Sequence, residues 1–319
     1  MRYRFGSVPA VALAAALLSG GCSGSAGPAS SPPVEKHDLT VAAVPVADAA
    51  ALYIAEQRGL FQAEGLHVKI VPVVSGATAI AGQLSGRYDA VLGNYVSYIL
   101  ADVHGAKFRV LAPAAAVGPH MSALLTPFGS RIQNVAQLRG KTIGVNALNN
   151  IGTLIVTSLL NANGLDLQTD HIHFKAIPFP EMTHALQTHL VQAAWMVEPF
   201  VTNAEMTGAQ PLADTDVGAT QNLPIAGYMV TQSWEKKYPG TAAALRRALQ
   251  EGQRIAAVSQ PAVWRGVETF AKIPPATAEL IALPSYPLAI QALSLQRVAD
   301  LMLFYNMINH SYDAAKMLR

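Results

Sequence analysis

The feature that most constrains the fold is the alternation of strand-like and helix-like segments along most of the chain. Apolar runs such as 39–44 and 89–93 have the length and composition of strands buried on both faces. Helical patterns separate these runs, and short turns containing Gly or Pro divide the segments. Strands that alternate with helices favour a mainly parallel sheet with right-handed crossovers. The sequence therefore predicts an α/β fold.

The alternation falls into two series. Predicted strands of the first series cover residues 39–44, 67–74, 89–93 and 108–112. Those of the second cover 122–126, 142–145, 171–177 and 193–197, and a strand over 225–231 returns to the first unit. Predicted helices cover 48–58, 153–161 and 181–190, a shorter one ends at Leu84, and the chain after Trp234 is almost wholly helical.

Two such series predict two α/β lobes with a ligand cleft between them and two crossover segments. The length of 319 residues agrees with this number, because a domain averages roughly 150 residues. We assign residues 38–120 and 225–319 to lobe one and residues 121–224 to lobe two.

The N-terminus has the pattern of an export signal. Arg2 and Arg4 precede an apolar run over 8–18, which is too short to span a bilayer core of about 20 residues. The run ends in Leu-Ser-Gly-Gly before Cys22, the single cysteine of the chain. This segment resembles a bacterial lipobox, although Ser19 stands where the usual pattern has Leu. We predict a signal peptide over 1–21 and lipidation of Cys22, with an ordinary secretory signal as the alternative.

The residues after Cys22 predict a flexible tether. Up to Pro33 they are mostly Gly, Ser, Ala and Pro, so 22–37 is expected to link a lipid anchor to the folded part. No unbroken run of about 18 apolar residues follows. We therefore expect an exported protein that is anchored at the outer face of the cytoplasmic membrane, or is periplasmic, and does not span the membrane.

Composition and motifs exclude several classes of function. Twenty-two Lys and Arg against 20 Asp and Glu are too balanced for a dedicated nucleic-acid binder. One cysteine excludes a disulfide framework and Cys-based metal sites. Gly140-Lys141-Thr142 resembles the end of a phosphate-binding loop, but Val135 replaces its first glycine. His171 and His173 lack nearby carboxylates at ligand spacing. We expect no cofactor, no metal and no catalysis.

Four segments, in order along the chain, resemble extracytoplasmic solute-binding proteins of ABC importers. They are 52–68 (LYIAEQRGLFQAEGLHV), 84–90 (LSGRYDA), 135–145 (VAQLRGKTIGV) and 195–200 (WMVEPF). The branch of the family that they resemble imports nitrate, sulfonates, taurine and thiamine precursors. The resemblance covers roughly residues 38–270. It implies a type II periplasmic-binding-protein fold, which closes on a small solute and delivers it to an ABC permease and its ATPase, and we expect a monomer.

The site is expected beyond the carboxyl ends of the strands, because open α/β sheets bind ligands there, near helix N-termini. Small and amide residues at these positions allow backbone N–H groups to approach a ligand. The candidates in lobe one are Val46, Ala47, Asp48, Ser75, Gly76, Ala77, Gly93, Asn94, Tyr95 and Ala116. Those in lobe two are Asn146, Asn149, Asn150, Ile151, Gly152, Thr153, Glu198 and Pro199.

Each polar candidate has a structural alternative. Asp48 could cap the following helix, and the asparagines could be turn or cap residues. Four aromatic residues could stack on a planar ligand: Tyr53, Tyr95, Tyr98 and Trp195. Tyr53 is expected in the core, and Tyr95, directly after a strand end, is the better candidate.

The predicted cleft loops contain no Lys or Arg, and Asp48 and Glu198 would repel an anion. This favours a pyrimidine like a thiamine precursor, or a zwitterionic aminosulfonate. Nitrate or alkanesulfonate binding, a sensor without transport and a pyrimidine-synthase-like enzyme stay as alternatives.

Overall fold

The computed structural model describes residues 33–319. The predicted signal peptide, Cys22 and the linker up to residue 32 lie outside the described residues. Within residues 33–319, no helix is both long enough and apolar enough to cross a membrane.

Ten strands and twelve α-helices make up the described part of the chain. The strands are β1 (Asp38–Ala43), β2 (His67–Pro72), β3 (Ala90–Asn94), β4 (Phe108–Ala116), β5 (Ser122–Thr126), β6 (Thr142–Val145), β7 (His173–Ala176), β8 (Ala193–Val197), β9 (Gln210–Asp214) and β10 (Pro224–Thr231). The helices are α1 (Ala50–Gln57), α2 (Leu60–Ala63), α3 (Gly76–Leu84), α4 (Tyr95–Val103), α5 (Ile151–Ala162), α6 (Phe179–Gln187), α7 (Phe200–Met206), α8 (Gln232–Lys237), α9 (Pro239–Val258), α10 (Gln260–Ala271), α11 (Pro275–Ala278) and α12 (Ala292–Phe304). Short 3-10 helices lie at Ala47–Ala49, Val135–Leu138, Gly218–Thr220 and Ala314–Met317.

The strands form two five-stranded sheets. One has the order β2-β1-β3-β10-β4 and the other has the order β7-β6-β8-β5-β9. In the first sheet β10 runs antiparallel to both its neighbours, and in the second β5 does the same. The chain passes from the first sheet to the second after β4 and returns after β9, which confirms two α/β lobes. The lobe boundaries at residues 120 and 225 stay predictions.

Several predicted elements differ from the structure. β9 and α7 were not predicted, because Pro211 and Pro199 interrupt the patterns that would have shown them. β9 pairs with one strand, β5, and an edge strand tolerates a proline. β4 continues to Ala116 instead of ending at residue 112. The predicted strand 171–177 shortens to β7, because His171 adopts a left-handed turn with φ 53°.

Helix capping was predicted correctly at Asn94 and wrongly at Asp48. Asn94 Oδ1 accepts the backbone N–H of Ser97 at 2.9 Å at the start of α4. Asp48 instead lies inside the 3-10 helix Ala47–Ala49, and no side-chain hydrogen bond caps that turn. The extra turn delays the start of α1 to Ala50 and leaves the Asp48 carboxyl buried beside the end of β1.

The C-terminal helices complete the core of lobe one. α9 and α10 pack against α1, and their buried residues share a cluster with Ala50, Ile54, Ile281 and Tyr286. The helices approach closely at Gly252, where an added Cβ would lie 2.4 Å from the Ala51 carbonyl oxygen. The segment around Ile281 is therefore rooted in lobe one.

Candidate ligand cleft between the lobes

A cleft opens between the facing ends of the two sheets. Its empty space, including the open mouth, is about 550 Å³. Lobe one contributes Val44, Val46, Asp48, Gly76, Leu92, Gly93, Asn94, Ile225 and Ala226 to the lining. Lobe two contributes Asn146, Ile151, Phe179, Trp195 and Val197. The lining is mostly apolar with a few polar groups, which is the usual composition of a small-molecule site.

The lobe-one wall is built from strand ends and the N-terminus of α3. β1 and β3 run parallel, so their carboxyl ends deliver Val44 and Asn94 to the same edge. Gly76 starts α3 directly opposite, and an added Cβ there would lie 3.2 Å from Asn94 Nδ2. The absence of a side chain at Gly76 therefore makes room for the Asn94 amide at the cleft.

The lobe-two wall is aromatic and tightly held. Trp195 Nε1 donates to Thr215 Oγ1 at 3.2 Å, which fixes the indole. Its ring covers Gly152, where an added Cβ would lie 2.6 Å from Trp195 Cε3. Phe179 lies 6.0 Å from Trp195 between ring centroids and stacks on Phe200 at 5.2 Å. The wall can therefore present an ordered apolar surface to a planar group.

Asp48 is the charged group of the lining. The residue is 7% exposed, and Oδ1 of its carboxyl is buried with no hydrogen-bond partner among the described residues. Burial raises the pKa of Asp48 to about 7, against the lowering effect of a hydrogen bond from its own backbone N–H, and the nearby charge of Asp216 adds to the rise. A buried carboxylate oxygen without a partner is costly, so a ligand N–H group or cation beside Oδ1 would be favoured.

Two amides complete the polar lining. Asn94 Oδ1 is used by the cap on Ser97 N, and Asn146 Oδ1 accepts from Asn150 Nδ2 at 2.7 Å. Their oxygens are thus engaged, and among the described residues neither amide nitrogen has a hydrogen-bond acceptor. Both nitrogens remain as donors at the cleft. No Lys, Arg or His stands among the described lining residues.

The structure brings seven of the predicted site residues into the cleft lining and places the others elsewhere. The seven are Val46, Asp48, Gly76, Gly93, Asn94, Asn146 and Ile151. The predicted residues outside the lining are Ala47, Ser75, Ala77, Tyr95, Ala116, Asn149, Asn150, Gly152, Thr153, Glu198 and Pro199.

Most of the residues outside the lining support the walls. Asn150 caps α5 by accepting from Gly152 N and Thr153 N, and Thr153 Oγ1 accepts from Asn150 N in return. Ser75 caps α3. Asn149 is exposed in a left-handed turn with φ 52°.

Tyr95 and Ala116 line a different cavity, of about 560 Å³. The Tyr95 side chain is fully buried within lobe one, because the first turn of α4 points it away from the cleft. Tyr95 therefore lies outside the lining of this cleft.

Glu198 lies behind the cleft wall and its carboxylate is already engaged. Oε2 accepts from Thr202 N at 3.1 Å, and Oε1 accepts from Thr202 Oγ1 at 2.8 Å and from Ala282 N at 3.3 Å. Burial raises the pKa of Glu198 to about 7, against the lowering effect of these hydrogen bonds. Through these hydrogen bonds, Glu198 joins α7 to the segment that follows α11.

Seven lining residues lie outside the predicted site. Trp195 was considered only as a residue that could stack on a planar ligand, and the other six are Val44, Leu92, Phe179, Val197, Ile225 and Ala226. Val44, Leu92 and Val197 were interpreted only as strand residues. They lie at or near the carboxyl ends of predicted strands, so adding the final residues of each strand to the candidate site would have found them. Ile225 and Ala226 come from β10, which is antiparallel and enters the cleft with its first residues. A rule based on carboxyl ends cannot find them.

In the range 33–319, no group of three or more His, Cys, Asp or Glu residues is arranged to hold a metal ion.

A family sequence model that matches most of the chain shows which family this protein belongs to. The sequence model of the NMT1-like family matches residues 32–265. The chain belongs to the NMT1-like family. A further relative in sequence is YtlA of Bacillus subtilis (strain 168), which is 24% identical over 225 residues, covering 69% of this chain and 67% of YtlA.

Solved structures confirm the fold of this family member. The alkanesulfonate-binding protein SsuA of Xanthomonas axonopodis pv. citri, bound to MOPS, matches with a TM-score of 0.76 and 17% identity, covering 90% of this chain and 99% of SsuA. The periplasmic nitrate-binding protein NrtA of Synechocystis PCC 6803 also gives a TM-score of 0.76, with 13% identity, covering 89% of this chain and 85% of NrtA. The type II periplasmic-binding-protein fold predicted from the sequence is confirmed.

Proposed function

We propose that this NMT1-like protein is the extracytoplasmic solute-binding component of an ABC importer. Its two lobes close on a small nitrogen-containing organic solute and deliver that solute to a membrane permease. The observation that carries the ligand class is the unpartnered Oδ1 of Asp48 in a cleft whose described lining residues include no Lys, Arg or His.

An amine or protonated ring nitrogen fits this cleft better than an anion does. Such a group would pair with Asp48 and remove the cost of its burial. The amide nitrogens of Asn94 and Asn146 would meet ligand oxygen or ring nitrogen acceptors. The aromatic wall of Phe179 and Trp195 favours a planar pyrimidine over taurine, whose sulfonate would depend on the two amides and on backbone N–H groups.

Anion binding is the second candidate. SsuA and NrtA, which share the fold, are named for alkanesulfonate and nitrate. The N-termini of α3 and α5 open on this cleft at Gly76 and Ile151, and helix N-termini favour anions. A protonated Asp48 would tolerate such a ligand, so anion binding would strengthen at low pH.

A thermal-shift screen separates these ligand classes. We expect 4-amino-2-methylpyrimidine to raise the melting temperature by a few degrees at saturation, since a ligand at 100 times its Kd adds about 2.7 kcal/mol. Taurine is expected to give a smaller shift, and nitrate and ethanesulfonate none at pH 8. A shift with nitrate or ethanesulfonate alone would refute the amine-binding proposal.

Transport, as opposed to sensing, is tested by uptake. Cells lacking this protein should lose uptake of the bound solute, and cells lacking the permease should lose it equally. A sensor would leave uptake unchanged in the first strain. Purified protein is expected to return every bound solute chemically unaltered, because we propose no enzymatic step.

We further propose export with residues 1–21 as signal peptide and a diacylglyceryl anchor on Cys22, joined to the folded part by a flexible linker. The mature protein is proposed to act as a monomer. Cys22→Ser should move the protein from the membrane fraction to the soluble extracytoplasmic fraction, while solute binding in the thermal-shift assay stays unchanged. Retention of the Cys22→Ser protein in the membrane fraction would refute the anchor.

A further inference from the structure

One segment of lobe one passes over the junction between the lobes. We call residues 281–287 the clasp. It follows α11, and Ile281 and Tyr286 root it in the lobe-one core beside α1. Gln253 of α9 holds the other end, where its Nε2 donates to the Pro287 carbonyl at 3.0 Å. The clasp is thus a fixed part of lobe one.

The clasp lies directly on the first crossover between the sheets. Ser285 pairs with Ala116 through backbone hydrogen bonds of 2.9 and 3.1 Å. At Gly118 an added Cβ would lie 2.7 Å from the Leu283 carbonyl oxygen, so the two backbones touch. When one lobe moves relative to the other, the first crossover therefore has to slide along the clasp.

Glu198, at the end of β8 in lobe two, binds lobe one at two points. Its carboxylate accepts the Ala282 N–H of the clasp at 3.3 Å, and its backbone carbonyl accepts the Ala47 N–H at 2.9 Å. Thr202 holds the carboxylate in position through both its N–H and its hydroxyl. These two hydrogen bonds join lobe two to lobe one in this structure.

Hydrogen bonds from the clasp and from Glu198 also hold Ala47, the residue before Asp48. Tyr286 of the clasp donates its hydroxyl to the Ala47 carbonyl at 2.9 Å. Ala47 is therefore held by lobe two through its N–H and by the clasp through its C=O. Its neighbour in sequence is Asp48, whose carboxyl lines the cleft. The position of Asp48 and the closure of the lobes depend on one set of hydrogen bonds.

We propose that Glu198 and the clasp fasten the two lobes in the closed state, and that Glu198 is a positioning residue which acts through Ala47 and Ala282 instead of touching the solute. The part of this inference that concerns ligand retention rests on the proposed function. The fastening itself concerns this chain alone and is measurable without any ligand.

Hydrogen exchange of the unliganded full chain tests the fastening. In Glu198→Ala we expect amides in peptides covering 45–50 and 280–287 to exchange at least tenfold faster, whereas amides of β1 and β6 keep their wild-type rates. Tyr286→Phe keeps the buried ring and removes one hydroxyl, so it should raise exchange in the same two regions by a smaller factor. Glu181→Ala, at an exposed acid of α6, is the matched control and should change neither.

Two outcomes would overturn the proposal. One is wild-type exchange in both regions in Glu198→Ala and in Tyr286→Phe. The other is faster exchange throughout the chain in Glu198→Ala together with wild-type exchange in Tyr286→Phe, since this would show a general structural role for Glu198.

Ligand kinetics give a second, separate measurement. With 4-amino-2-methylpyrimidine as the probe, Glu198→Ala should raise the dissociation rate about tenfold and leave the association rate unchanged, because the fastening forms after the solute has entered. An equal loss in the association rate would contradict the proposed role. If the probe does not bind to wild-type protein, the pyrimidine assignment fails and the exchange experiment still decides on the fastening.

Discussion

Replacing Asp48 with Asn is expected to weaken binding of an amine-bearing solute about a hundredfold at pH 8. The substitution keeps the shape of the side chain and removes the negative charge that we propose to pair with the ligand. A hydrogen bond to a charged partner contributes roughly 1.5–3 kcal/mol, and 2.7 kcal/mol corresponds to a factor of a hundred. Isothermal titration of wild-type and variant protein with 4-amino-2-methylpyrimidine measures the effect.

The same substitution is expected to stabilise the unliganded protein. Burial raises the pKa of Asp48 from 3.8 to about 7, so folding disfavours the ionised form. This cost is absent below pH 4, grows between pH 4 and 7, and is complete above pH 7, where it reaches at most about 4 kcal/mol. Asp48→Asn should therefore melt at a higher temperature than wild type at pH 8 and at a similar temperature at pH 4.

Weaker binding together with higher stability is the signature of a functional group that the fold holds at a cost. The matched control is Asp300→Asn, at an exposed carboxylate of α12, which should change neither the affinity nor the melting temperature. Unchanged affinity in Asp48→Asn would remove Asp48 from the ligand site. Reduced stability at pH 8 would show that the carboxylate has a favourable partner in the fold.

The sequence was sufficient to predict the fold because strands and helices repeat with clear periods. Runs such as 193–197 matched a strand of the structure at both ends. The unpredicted strand β9 has the sequence Gln-Pro-Leu-Ala-Asp, which shows no alternation of apolar and polar residues, and its pairing with β5 comes from tertiary structure. A short edge strand of this kind leaves little signal in sequence.

The cleft could be located from sequence, but the direction of its side chains could not. Strand ends placed Gly76, Asn94 and Asn146 correctly beside the cleft. Asp48 was predicted at the ligand with a helix cap as its alternative, and one extra 3-10 turn moves it off the helix start. Glu198 was predicted at the ligand, yet Thr202 and Ala282 already occupy its carboxylate. Such contacts between residues far apart in sequence are set by packing, so spacing along the chain does not reveal them.

Three buried acids give the unliganded protein an expected stability profile that falls as pH rises. Burial is the main reason why the pKa is raised to about 7 for Asp48 and Glu198 and to about 6 for Asp216. A carboxyl whose folded pKa lies above its unfolded value binds its proton more tightly in the folded state. The free energy of unfolding therefore decreases from about pH 4 to pH 7, since the folded state binds more protons than the unfolded state.

Urea denaturation at pH 5 and at pH 8 measures this decrease in the free energy of unfolding, which we expect to be on the order of 5 kcal/mol. In Asp48→Asn the free energy of unfolding should decrease less between pH 5 and pH 8, because only Glu198 and Asp216 still contribute to the decrease. An amine-bearing solute at saturation should also make the decrease in the free energy of unfolding smaller, because pairing with the ionised carboxylate lowers the pKa of Asp48. A stability that rises from pH 5 to pH 8 in the unliganded protein would mean that these acids are ionised and paired in solution, and the ligand class proposed for the cleft would lose its main support.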